Sequence, residues 1–183
     1  MARYSVLLLD ADGTLFDYNR AESHAFAATC AELGLHYREA DHLPAYRRIN
    51  SDLWKAFERG EVDQATLAVE RFRQVLEEMG QEADASVMAD RYLAHLAGGS
   101  FLLPGALEVV RTLSERADLV VLTNGLSRVQ RSRFADSGLA AYTPHLIISD
   151  EIGSQKPEPE IFNVALTPFD GTDRSQILMV GDS

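Results

Sequence analysis

The sequence predicts an α/β fold, a doubly wound parallel sheet interrupted by a helical insertion, and three observations carry that prediction. Four short runs rich in Val, Ile and Leu, Ser5 to Leu9, Leu119 to Leu122, Leu146 to Ile148 and Ile177 to Val180, are each bounded by polar residues or glycine and read as buried parallel strands. Segments of helical character separate the later runs, the alternation that a doubly wound sheet requires. The interval from residue 17 to residue 99 holds amphipathic helical patterns and no convincing strand.

Taken in order, the first strand runs into Asp10 and the helical interval follows. Leu67, Phe72, Val75, Leu76 and Met79 fall near helical spacing, and Gly34, Gly60 and Gly80 punctuate the interval as helix ends. That gives about four helices, more than a simple crossover needs. Gly98-Gly99 and Leu103-Pro104-Gly105 mark the return to the sheet. Helices are then expected over Gly105 to Arg116, over Ser127 to Ser137 with Gly138 as terminator, and over Pro159 to Leu166 before Pro168. Residues 1–16 and 100–183 are expected to form the core, and residues 17–99 an inserted helical domain. Ile177 to Ser183 stops directly after an apolar run, so the core is expected to be truncated at its C-terminus. A non-catalytic fragment is one reading of such a chain.

Composition narrows the function. The 183 residues carry 17 Lys and Arg against 28 Asp and Glu, a formal charge of −11, while 46% are hydrophobic. The apolar share builds a core, and the acidic balance argues against a surface that grips polymeric nucleic acid by its phosphates. Cys30 is the one cysteine, so neither an internal disulfide nor a thiolate metal cluster can form, and a reducing compartment fits. The apolar run Val6 to Leu9 is too short for a signal peptide or a membrane span, so a cytoplasmic protein with no membrane partner is expected, as monomer or homodimer.

The chemistry concentrates at strand ends. In Asp10-Ala-Asp12-Gly13-Thr14 a buried strand finishes in carboxylates at i and i+2, which extended backbone aims the same way. Carboxylates held close repel unless a cation or a shared proton relieves them, and Mg²⁺, hard and oxygen-seeking, suits such a place. The second strand ends in Thr123-Asn124-Gly125, a hydroxyl and backbone N–H groups that suit phosphate oxygens. Lys156-Pro157-Glu158-Pro159 holds an ammonium in a stiff turn after the third strand, and Gly181-Asp182 closes the fourth with another carboxylate.

These four motifs, in this order and across essentially the whole chain, resemble the haloacid dehalogenase (HAD) superfamily of phosphohydrolases. The resemblance implies a Rossmann-like core with the insertion as a helical C1 cap. Within the insertion, Asn50-Ser-Asp-Leu53-Trp54-Lys-Ala-Phe57-Glu58-Arg-Gly60, with Thr123-Asn-Gly and Ile148-Ser-Asp-Glu151-Ile-Gly153-x-x-Lys156-Pro, is similar to the YjjG and YfnB group of pyrimidine 5′-nucleotidases. A nucleoside 5′-monophosphate is then the expected substrate. The resemblance implies Asp10 as nucleophile, Asp12 as general acid and base, Thr123 and Lys156 as holders of the phosphoryl oxygens, and Mg²⁺ on Asp10, the Asp12 carbonyl and Asp182. The family pattern places another acidic residue beyond Gly-Asp, where this chain ends. An acid at position 12 marks a phosphatase and not a dehalogenase, because a halide leaves without a proton.

Asn124 and Gly125 join Thr123 as candidate substrate-binding residues, and Asn50 and Trp54 are candidates for base recognition, with core packing the competing role for Trp54. His24, His36, His42, His95 and His145 form no ligand spacing, and Cys30 reads as a buried small residue. The alternatives are a sugar-phosphate phosphatase or phosphomutase on the same scaffold and, from another class, a receiver-like phospho-acceptor domain.

Overall fold

A computed structural model describes residues 3–182. The chain divides into two compact units, residues 1–21 with 97–183 and residues 22–96.

The first unit is built on four parallel strands, β1 (Val6–Leu9), β2 (Asp118–Thr123), β3 (His145–Ile148) and β4 (Ile177–Val180), in the order β3-β2-β1-β4. Alternation along β1 sorts its side chains. Leu7 and Leu9 pack with Leu119 and Val121 of β2 in one apolar cluster that includes Ala106 and Val110. Val6 and Leu8 pack with Val120, Leu122, Ile161 and Ala165 in another. Helices therefore cover both faces, the doubly wound arrangement. The central strands β1 and β2 are buried almost throughout, whereas β3 and β4, at the two sides of the described sheet, are largely half-exposed. The apolar runs predict burial for all four strands; β3 and β4 depart from that because a strand with one neighbour in the described sheet loses part of its cover.

Around the sheet lie α5 (Ala106–Ser114), α6 (Ser127–Asp136), the single turn α7 (Ser149–Ile152) and α8 (Pro159–Leu166). Pro159 opens α8 where its missing N–H costs nothing. The second unit takes its mass from α1 (Tyr18–Glu32), which begins in the first unit, and from α2 (Glu39–Glu58), α3 (Gln64–Met79) and α4 (Ala85–Ala97). The α3 helix is closed at both ends: Asp63 accepts a hydrogen bond from the Thr66 N–H at 2.7 Å, and Gly80 adopts φ +63° at the C-cap. Its apolar face joins a stack of rings in which Tyr46 lies 4.6 Å from Phe26 and 5.6 Å from Phe72, with Phe72 5.2 Å from Tyr92. No described helix is long and apolar enough to cross a membrane.

Candidate active site

Because all four strands are parallel, their C-terminal ends share one edge, and the register fixes what meets there. Leu9 pairs with Val121 on one side and Val180 on the other, so Asp10, Leu122 and Gly181 follow one step beyond. Thr123 pairs with Ile148 and is buried.

Asp10 is 5% exposed. Its Oδ1 accepts from the Lys156 ammonium at 2.7 Å and from the Ala11 N–H at 2.7 Å. Two donors thus pin one oxygen. A side chain at position 181 would bring its Cβ within 3.1 Å of the Asp10 Cβ and 3.4 Å of Oδ2, so the glycine keeps the space beside Oδ2 clear.

Lys156 is held by Asn124. The Asn124 Nδ2 donates to the Lys156 carbonyl at 2.9 Å, and its Oδ1 accepts from the Lys156 N–H at 2.7 Å. The carboxamide of this candidate substrate ligand is therefore engaged with the lysine's main chain, and it joins the end of β2 to the loop after α7.

The loop after β1 turns back on itself. The Leu15 and Phe16 N–H groups donate to the Ala11 carbonyl, and Gly13 takes φ +78°. A Cβ on Gly13 would lie 2.1 Å from the Asp182 Oδ2, so the Asp182 carboxylate rests against the Gly13 backbone. Among the described residues no three His, Cys, Asp or Glu side chains are grouped to hold a metal ion. The implied Mg²⁺ set needs fewer side chains: the carboxylates of Asp10 and Asp182 and the Asp12 carbonyl are all hard oxygen donors. Mg²⁺ binds readily through one or two carboxylates while keeping several waters, and the donor set fits it.

Asp12 is partnered by two residues that sequence reasoning missed. Arg133 Nη1 donates to Oδ1 at 2.6 Å and Gln130 Nε2 to Oδ2 at 2.7 Å. Nothing in Ser127-Arg-Val-Gln-Arg-Ser-Arg-Phe distinguishes Arg133 from Arg128 or Arg131, because the signal is burial, which the linear pattern does not carry.

Asn50 and Trp54 lie on α2 in the other unit. Asn50 is buried, with its Oδ1 accepting from Arg71 Nη1 at 2.9 Å. Trp54 is half-buried and meets Phe57 edge to face, centroids 5.7 Å apart. Cys30 is fully buried, and that burial pushes its thiol up to about 11.

Residues 4–183 match the family model for haloacid dehalogenase-like hydrolases. YfnB of Bacillus subtilis, named as a HAD-hydrolase, is 33% identical over 183 residues, covering 100% of this chain and 77% of the relative. Its magnesium-bound crystal structure superimposes with a TM-score of 0.93 over 100% of this chain and 79% of that one. The pyrimidine 5′-nucleotidase PynA of Streptococcus pneumoniae is 34% identical, with 98% of this chain and 76% of the relative covered. The pyrimidine 5′-nucleotidase YjjG of Escherichia coli is 29% identical, with 99% and 78% covered.

Proposed function

The chain belongs to the haloacid dehalogenase-like hydrolases, and from that premise we propose that it is a Mg²⁺-dependent phosphatase of nucleoside 5′-monophosphates, pyrimidine forms preferred, acting through an aspartyl-phosphate. The single observation that carries the reading is the Asp10–Lys156 contact of 2.7 Å at the edge where all four strands end. Two relatives named as pyrimidine 5′-nucleotidases support the substrate class.

With Oδ1 fixed by Lys156 and Ala11, Asp10 presents Oδ2 to phosphorus, on the side that Gly181 leaves open. The P–O bond to the nucleoside breaks as the bond to Oδ2 forms, and Asp12 gives the departing oxygen its proton. Asp12 then takes a proton from the water that hydrolyses the acyl phosphate. Thr123 and Lys156 hold the phosphoryl oxygens, with Asn124 keeping Lys156 in place. Mg²⁺ bound by Asp10, the Asp12 carbonyl and Asp182 would supply positive charge against the phosphoryl oxygens. In this reading residues 1–16 and 100–183 are the catalytic core, and residues 17–99, with Asn50 and Trp54, a cap that selects the substrate.

The test is phosphate release from a panel of nucleoside monophosphates and sugar phosphates, with and without Mg²⁺. Pyrimidine nucleotides should lead, Mg²⁺ should be required, and Asp10→Asn should abolish release. Full activity in that variant removes Asp10 as nucleophile; preference for sugar phosphates removes the nucleotidase assignment.

A further inference from the structure

Gln130 and Arg133 stand one helical turn apart on α6, so both project from the same side of it. That helix starts at Ser127, with Leu126 between it and Thr123-Asn124-Gly125, the segment assigned to phosphate, and reaches Asp12 from there. Each oxygen of the Asp12 carboxylate has its own donor, Arg133 on Oδ1 and Gln130 on Oδ2. Gly125 is what lets Gln130 lie this way, since a Cβ there would come within 2.6 Å of the Gln130 Nε2.

Arg133 is itself immobilised. It is 0% exposed, its Nε donates to the Gly99 carbonyl at 3.1 Å, and its guanidinium lies 4.5 Å from the centre of the Phe16 ring. Phe16 bridges to Asp12 and to Leu102, so Arg133 touches both segments through which the chain leaves and re-enters the sheet-bearing unit. The arrangement is a poor stability device. A fully buried guanidinium carries a desolvation penalty that its pairing barely offsets, and an apolar residue of similar volume is often as stable or more so. Its Nη2 is also buried without a hydrogen-bond partner. What the arrangement does secure is the direction of a carboxylate whose side chain remains 29% exposed and would otherwise rotate freely toward water.

We infer that Gln130 and Arg133 are positioning residues for Asp12, holding it where it can pass a proton to the leaving oxygen and take one from water. The inference rests on the proposed role of Asp12 in phosphoester hydrolysis. Proton transfer needs heavy atoms within hydrogen-bond reach, so a carboxylate that wanders loses the step without any loss of substrate binding.

The effect is separable by leaving group. A nucleoside alkoxide needs the proton as it departs, whereas p-nitrophenolate leaves without one. The experiment measures kcat/KM for a pyrimidine nucleoside 5′-monophosphate and for p-nitrophenyl phosphate in wild type, Asp12→Asn, Gln130→Met, Arg133→Lys and the Asp12→Asn/Gln130→Met double variant, with a melting temperature for each. Gln130→Met should lower the nucleotide value about tenfold or more and the aryl value by less than about threefold, the same pattern as Asp12→Asn in milder form. Adding Gln130→Met to Asp12→Asn should cost nothing further. Arg133→Lys keeps the charge but cannot reach Asp12 and Gly99 together, and should show the same split. Should Arg133→Lys fail to fold, Gln130→Met, neutral and close in size, decides alone. Equal losses on both substrates, no loss on either, or a loss in the double variant that multiplies overturns the positioning role. Absence of the leaving-group split in Asp12→Asn itself overturns the acid–base assignment instead, and the inference with it.

Discussion

Replacing Gly13 with alanine separates two effects that the structure superimposes at one position. The first is backbone: φ is +78°, and an L-residue in that region costs about 1–2 kcal/mol. The second is contact: the new Cβ would sit 2.1 Å from the Asp182 Oδ2 and 2.6 Å from its Cγ, far inside any tolerated approach, so the Asp182 carboxylate must move aside by about an ångström. Gly34→Ala provides the control, because Gly34 has φ +67° and nothing within 4 Å of a built Cβ. Both variants should lose about 1–2 kcal/mol, a melting shift of about 2–8 °C for a chain of this size. Only Gly13→Ala should also need more Mg²⁺ for half-maximal phosphate release and turn over more slowly at saturating Mg²⁺. The assay is a Mg²⁺ titration of nucleotide hydrolysis beside thermal melts of both variants. A wild-type Mg²⁺ response in Gly13→Ala would refute the placement of Asp182 against Gly13 in the working enzyme.

Three further outcomes are expected. Lys156→Met leaves the Asp10 carboxylate with the Ala11 N–H as its one remaining donor among those described, and phosphate release should fall about 100-fold or more; unchanged turnover would remove Lys156 from the chemistry. Trp54→Ala should reduce nucleotide turnover more than turnover of a small phosphoester, and equal losses would leave Trp54 with its packing role on Phe57. Burial raises the Cys30 thiol from 9.0 to about 11, so the folded state keeps this proton to higher pH than the unfolded chain; the associated stability is complete below pH 9 and lost as pH rises to about 11. Urea midpoints between pH 8 and 11 should therefore fall more steeply in wild type than in Cys30→Ala, and parallel curves would contradict the burial.

Much of this was legible because it is local. Strand positions follow from apolar runs of the right length, and the observed strands lie within a residue of the expected ones at both ends. Gly34, Gly60 and Gly80 all adopt positive φ beyond helices, as helix-terminating glycines do. The four motifs were legible for the same reason, since each is a contiguous stretch whose backbone needs are written in its glycines and prolines. The single turn α7 was not, because four residues carry no periodicity.

By itself the sequence determined the family, the strand-and-helix order and the residues that stand at the strand ends. Tertiary structure alone decided what those residues touch. Asn124, a candidate substrate ligand by sequence, clasps the main chain of Lys156 from 32 residues away. Asp12 is expected from the resemblance as general acid and base, and the residues that hold its carboxylate, Gln130 and Arg133, lie 118 and 121 residues along the chain. Such pairings depend on the sheet order β3-β2-β1-β4, which sets the end of β1 beside the helix that follows β2. Parallel strands carry no local signal of their neighbours, because the crossovers that join them leave the order to packing.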